Sequence, residues 1–153
     1  MWFSLLRDRR GVKNFLLGLI AFPLLIGCGG ADGLVVQDGV LKTPVPGQDK
    51  SVGYMTLVNP TAQAIEITAV QVAGVRAVEM HETTGTEVRR MRRLTSVVIP
   101  AGEQVVFATG GKHLMLFGVA GLQQDQSVAV TFIDSKQQRV TQQFRVIGFD
   151  QTP

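Results

Sequence analysis

The residues best equipped for chemistry gather between Glu79 and Phe117. Both histidines of the chain, His81 and His113, fall in this window, with Met80, Met91 and Met115, three of the four methionines beyond the N-terminal segment. His113-Leu114-Met115 is the densest part. Imidazole and thioether with no cysteine among them form a soft donor set, which suits Cu(I) and serves Zn(II), Ca(II) or Mg(II) poorly. A blue-copper redox centre would need a thiolate, and the single cysteine, Cys28, lies far upstream. Nothing pairs a nucleophile with a base, so the chain reads as a binding protein rather than an enzyme.

Those side chains need strands to position them. Residues two apart on a strand share a face, so His113 and Met115 stand together while Leu114 and Leu116 point the other way. By the same rule Val78 and Met80 face a core, and Glu79 and His81 share the polar side. Met91 lies within Arg89-Arg90-Met91-Arg92-Arg93, a poor setting for a core residue. The placements permit His81, Met91, His113 and Met115 to converge at one end of a sheet protein. A strand methionine is usually core filler, and Met80 reads as that.

The rest of the chain supplies strands. Short β-branched runs at Val52–Val58, Ala64–Val70, Ala77–His81, Val88–Leu94, Ser96–Ile99, Gln104–Ala108, His113–Val119, Val128–Ile133 and Arg139–Ile147 are divided by turn residues such as Asn59-Pro60 and Pro100-Ala101-Gly102. Near the start, Leu34-Val35-Val36 and Val40-Leu41 bracket Asp38-Gly39, a hairpin-turn signal. About nine such segments, with no helical period over three turns, predict an all-β antiparallel sandwich or barrel. At 153 residues one domain is expected.

The first 33 residues carry a different message. Arg7, Arg9, Arg10 and Lys13, offset by Asp8, precede the apolar run Phe15–Gly27, which is too short for a transmembrane helix of roughly 20 residues and suits a signal peptide. Leu25-Ile26-Gly27-Cys28 resembles a bacterial lipobox, which makes Cys28 the lipidated first residue of the mature chain. The alternative is a signal anchor with an incidental cysteine. Removing residues 1–27 removes a net +3, the whole formal charge of the chain. The sequence pI of about 9.4 therefore reflects targeting, and no broad electrostatic case for nucleic acid remains. The expected layout is a signal peptide over 1–27, a small flexible tether over 28–33, a β-domain over 34–148 and a short tail over 149–153.

Several stretches together resemble the PCu(A)C family of periplasmic copper chaperones, whose motif runs His, a spacer, Met, twenty-one residues, then His-x-Met. Here Arg92 through Lys112 separate Met91 from His113, which is twenty-one residues. The spacer from His81 to Met91 holds nine residues where the family has ten, a departure that falls in Thr83-Thr84-Gly85-Thr86 and ranks Met91 behind the other three. Val52–Leu57, Met80–Thr83, Ile99–Gly102 and Gly110–Leu116 are also similar, so the resemblance spans about residues 34–148. It implies a cupredoxin-like β-sandwich of Greek-key type that binds one Cu(I) through His81, Met91, His113 and Met115. It also implies delivery of copper to cytochrome c oxidase or its assembly factors from outside the cytoplasmic membrane. With neither His nor Met after Met115, no second copper site is expected. Proton competition for imidazole should weaken binding below about pH 6.5.

Arg89, Arg90, Arg92 and Arg93 form the one local basic patch. They constitute either a solvated strand face or a docking surface for an acidic partner. The chain is expected at the periplasmic side of the bacterial envelope, with Gly29 after the cysteine favouring the outer membrane. The competing reading is an envelope lipoprotein with a structural or interaction role and no metal.

Overall fold

The structure, a computed structural model, describes residues 33–85 and 88–153. The proposed signal peptide and Cys28 lie outside the described residues, as do Thr86 and Glu87 of the shortened spacer. Ten strands follow in order: β1 (Val35–Lys42), β2 (Lys50–Val58), β3 (Ile65–Val72), β4 (Val75–Thr84), β5 (Arg90–Leu94), β6 (Val97–Ile99), β7 (Gln104–Phe107), β8 (Lys112–Val119), β9 (Ser127–Asp134) and β10 (Arg139–Ile147). Their burial alternates as a pleat requires. Along β2, Ser51, Gly53, Met55 and Leu57 point inward and the residues between them are half-buried.

The sheet order is β5-β4-β8-β7-β2-β1-β10-β9-β3-β6, with β8 also reaching β2. Six strands separate β4 from β3 in that order, yet the two pack against each other. The sheet thus curls over on itself into a sandwich. Between its layers lie Leu41, Leu57, Phe107, Leu114, Leu116, Phe132 and Phe144, all 2% exposed or less, each contributing roughly 1.5–3 kcal/mol by burial. The fold is all-β as expected, with two departures from a wholly antiparallel arrangement. β1 runs parallel to β10, and β7 meets β8 in a short parallel contact.

Asp38-Gly39 is not a hairpin turn. Val36 and Gln37 pair with Leu57 and Thr56, and Val40 and Leu41 pair with Tyr54 and Gly53, so both halves of β1 face the same neighbour. The register shift between them is a bulge, with Asp38 at a φ of 52°. Gly39 is required because a Cβ there would lie 2.5 Å from the Phe144 ring. Asn59, fully buried, closes β2. Its Nδ2 donates to the carbonyls of Gln63, Ile99 and Pro100 at 2.7, 3.0 and 3.1 Å, and its Oδ1 accepts from the Thr61 amide at 3.0 Å.

Candidate metal centre

The two histidines stand opposite each other. In the β4–β8 ladder His81 pairs with His113, Met80 with Leu114 and Glu79 with Met115. Leu114 and Leu116 are wholly buried in the core and Met80 nearly so, which sends His81, His113, Glu79 and Met115 to the other face. The imidazole centroids are 5.9 Å apart with the rings tilted by 52°. His113 is buried, His81 and Met115 half-buried.

Each ring has one nitrogen fixed by a neighbour. His113 Nδ1 lies 3.1 Å from the Gly111 carbonyl. A carbonyl only accepts, so Nδ1 carries the proton and Nε2 keeps its lone pair. His81 Nε2 lies 2.8 Å from Glu79 Oε2, and its opposite nitrogen, Nδ1, is buried with no hydrogen-bond partner. The His81 hydrogen bond, followed by the nearby Arg93 charge, holds the Glu79 carboxyl below the usual carboxylate range against an opposing effect of burial. As an ionised acceptor, Glu79 keeps the proton on His81 Nε2 and leaves Nδ1 the basic atom. Arg93 Nη1 in turn sits 3.2 Å from Glu79 Oε1. A buried polar atom without a partner costs free energy unless something occupies it. An unpartnered imidazole nitrogen in the same row as a second imidazole, with a thioether beside them, fits a soft cation.

The methionines flank this row on opposite sides. Met115 lies one row before the histidines, opposite Glu79 and Val52. Met91 lies one row beyond, on β5 opposite Thr83, and is 56% exposed. It lines an open cleft together with His113, whereas Met115 lines the adjoining cleft. By register Met115 follows His113 by two residues on β8, while Met91, on the edge strand beside β4, shares its cleft with His113. The turn into β5 depends on Gly85, at a φ of 93° and with a Cβ position 2.3 Å from the Val88 carbonyl oxygen. Among the described residues no three His, Cys, Asp or Glu side chains come together as a metal cage, so a metal here would draw on thioethers.

Of the four arginines around Met91, Arg92 and Arg93 pair with carboxylates among the described residues. Arg92 Nη2 lies 2.8 Å from Glu82 Oε2 and Arg93 pairs with Glu79. Lys112 Nζ, 2.8 Å from Glu82 Oε1, completes a three-residue network. The Lys112 hydrogen bond and then that of Arg92 keep the Glu82 carboxyl below its ordinary range, while burial opposes them. Sequence reasoning placed Glu79 on the His81 face but missed its role as that ring's partner. The spacing of two residues on a strand was the available signal.

The molecule is similar to several solved structures. The apo PCuAC domain of PmoF2 superposes with a TM-score of 0.65 at 21% identity, covering 78% of this chain and 94% of that one. The copper-bound PCuAC domain of PmoF2 gives 0.65 at 21%, covering 76% and 93%. CuI-DR1885 from Deinococcus radiodurans gives 0.66 at 20%, covering 82% and 85%. At such identities the likeness concerns the fold. No curated protein matches significantly. The family of LpqE-like lipoproteins matches residues 34–146, most of the sequence. The chain belongs to the LpqE-like family and has the cupredoxin-like fold of PCuAC domains.

Proposed function

We propose that this protein is a Cu(I) metallochaperone of the cell envelope, holding one copper ion as cargo. His81 supplies Nδ1, His113 supplies Nε2, and Met115 and Met91 add one thioether each, Met91 from the edge strand. The observation that carries this reading is the buried Nδ1 of His81, without a hydrogen-bond partner among the described residues, in register with a second histidine whose Nδ1 is held by the Gly111 carbonyl. Copper bound in proteins of similar fold, the copper-bound PCuAC domain of PmoF2 and CuI-DR1885, supports it. Thioether and imidazole donors are neutral, so they retain Cu(I) yet yield it to a thiolate-rich acceptor. The Glu79–Arg93 pair orients His81 and fixes its tautomer, as a carboxylate does behind a metal-bound histidine.

The acceptor in this reading is cytochrome c oxidase or one of its assembly factors, approached from the periplasm by a chain lipidated at Cys28, in the outer membrane by preference. Arg89, Arg90, Arg92 and Arg93 would steer an acidic partner toward Met91. Titration with Cu(I) under reducing conditions against a competing chelator tests the core of the proposal. One tight equivalent is expected, lost in His113→Ala and in Met115→Ala. Absence of binding would leave an envelope lipoprotein with a structural role and no metal.

A further inference from the structure

Two open clefts adjoin on the face that carries the histidines, of about 300 and about 250 Å3, and they share Val52 and Tyr54 as a common wall. The first contains Met91 and His113 and is bounded by Arg89. The second contains Met115 and is bounded by Lys42, Lys50, Val45 and Phe149. Among the described residues no carboxylate lines either one. Val45 and Phe149 are each 45% exposed and Met91 56%. Large apolar side chains left in water on one concave face, between cationic ends, mark an interaction surface. Phe149 follows directly on β10, so the C-terminal segment, expected as a mere tail, supplies part of the wall.

Resting on the copper reading above, we infer that this double cleft docks the copper-accepting protein, and that the acceptor presents an apolar, thiol-bearing protrusion within an acidic rim. The contact surface thus extends past the arginine strand to Lys42, Lys50 and Phe149 on the far side of Met115. Charge complementarity selects the acidic rim, since arginine closes one end and two lysines the other, with no carboxylate among the described residues that line the clefts. Concavity selects a protrusion. A flat anionic membrane would meet the rims and leave the half-buried Met115 out of reach. On transfer, Cu(I) keeps its oxidation state. Each incoming thiol releases its proton to water as its sulfur bonds copper, and a thioether or imidazole bond to copper breaks in exchange.

The test uses the full chain in neutral detergent and two synthetic peptides with the same pair of cysteines beside leucines, one rich in Glu and one with Lys at those positions. Transfer of Cu(I) to the acidic peptide should be about tenfold faster at low salt, and the difference should close as salt shortens the screening length to ~3 Å near 1 M. Lys42→Glu/Lys50→Glu should slow transfer to the acidic peptide and leave Cu(I) affinity unchanged, and Phe149→Ser should weaken binding of the cysteine-to-serine acidic peptide to the apo chain. Equal rates with both peptides, or no response to these variants, would overturn the inference. So would loss of binding to phosphatidylglycerol vesicles in the lysine variant with transfer unaltered, which would assign the face to a membrane. Apo-chain binding of the acidic peptide in a protein that takes no Cu(I) would defeat the chaperone reading and uphold the docking surface.

Discussion

Glu79 Oε2 accepts a hydrogen bond from His81 Nε2 at 2.8 Å, and the cost falls on the other side of the ring, where Nδ1 is buried without a partner. The carboxylate fixes both the tautomer and the aim of the imidazole. Glu79→Ala should weaken Cu(I) binding by about 10–100-fold, the range typical of outer-shell partners. Glu79→Gln keeps an acceptor oxygen and should lose far less. Competition titration gives the affinities, and imidazole 15N shifts report the tautomer. Equal losses in the two variants would show that the hydrogen bond does not matter.

The two thioethers should not be equivalent. Met115→Leu removes a half-buried donor beside the histidine pair and should lower affinity about a hundredfold, or ~2.7 kcal/mol. Met91→Leu, on the exposed edge strand, should cost about tenfold. Gly85→Ala should resemble Met91→Leu, because a Cβ at a φ of 93° collides with the Val88 carbonyl and displaces the turn into β5. X-ray absorption of the Cu(I) protein reads the sulfur count directly. One Cu–S bond in Met91→Leu against two in the parent is the expected result.

Glu82 contributes a pH-dependent element of stability. Its folded carboxyl titrates below the unfolded one because Lys112 and Arg92 hold the ionised form. Stability from it is present above the unfolded pKa near 4.3 and is lost as pH falls through the lower folded value. Glu82→Gln should therefore lower the melting temperature at pH 7, by no more than about 1 kcal/mol of stability for so exposed a network. The two proteins should converge as pH falls through that lowered value. A difference that persists undiminished in acid would point to packing instead.

Gly39→Ala should destabilise the fold by about 1–3 kcal/mol through overpacking against Phe144. Denaturant midpoints measure it. In the background of Phe144→Leu the same change should cost less, giving a non-zero coupling energy in the double-mutant cycle. Additive effects would dissociate the bulge from the ring.

Much of this was legible in the sequence because it is local. The period of two told which side of β8 held His113 and Met115 and which held Leu114 and Leu116, and turn residues marked most strand ends. The rest depended on pairing between distant strands. That His81 meets His113, and that Met91 and Met115 fall on opposite sides of them, follows from the β4–β8 and β4–β5 registers. Asp38-Gly39 has the composition of a hairpin turn, and only the continuous partner β2 makes it a bulge. The parallel seam between β1 and β10 joins the two ends of the domain and leaves no short-range signal. Phe149 looked like tail because nothing nearby in sequence shows that it lines a cleft with Met115.

The direction of β1 has a further consequence for reach. Val35 pairs with Val58, while Leu41 pairs with Gly53, which in turn pairs with Leu114 between the two β8 donors. The five-residue step from Val58 to Gly53 spans roughly 17 Å. β1 therefore starts at the Val58 end of β2, about four residues along that strand from the histidine row. In mechanical terms, a pull on β1 reaches the histidine row through the β2 ladder, a path that stays within one sheet.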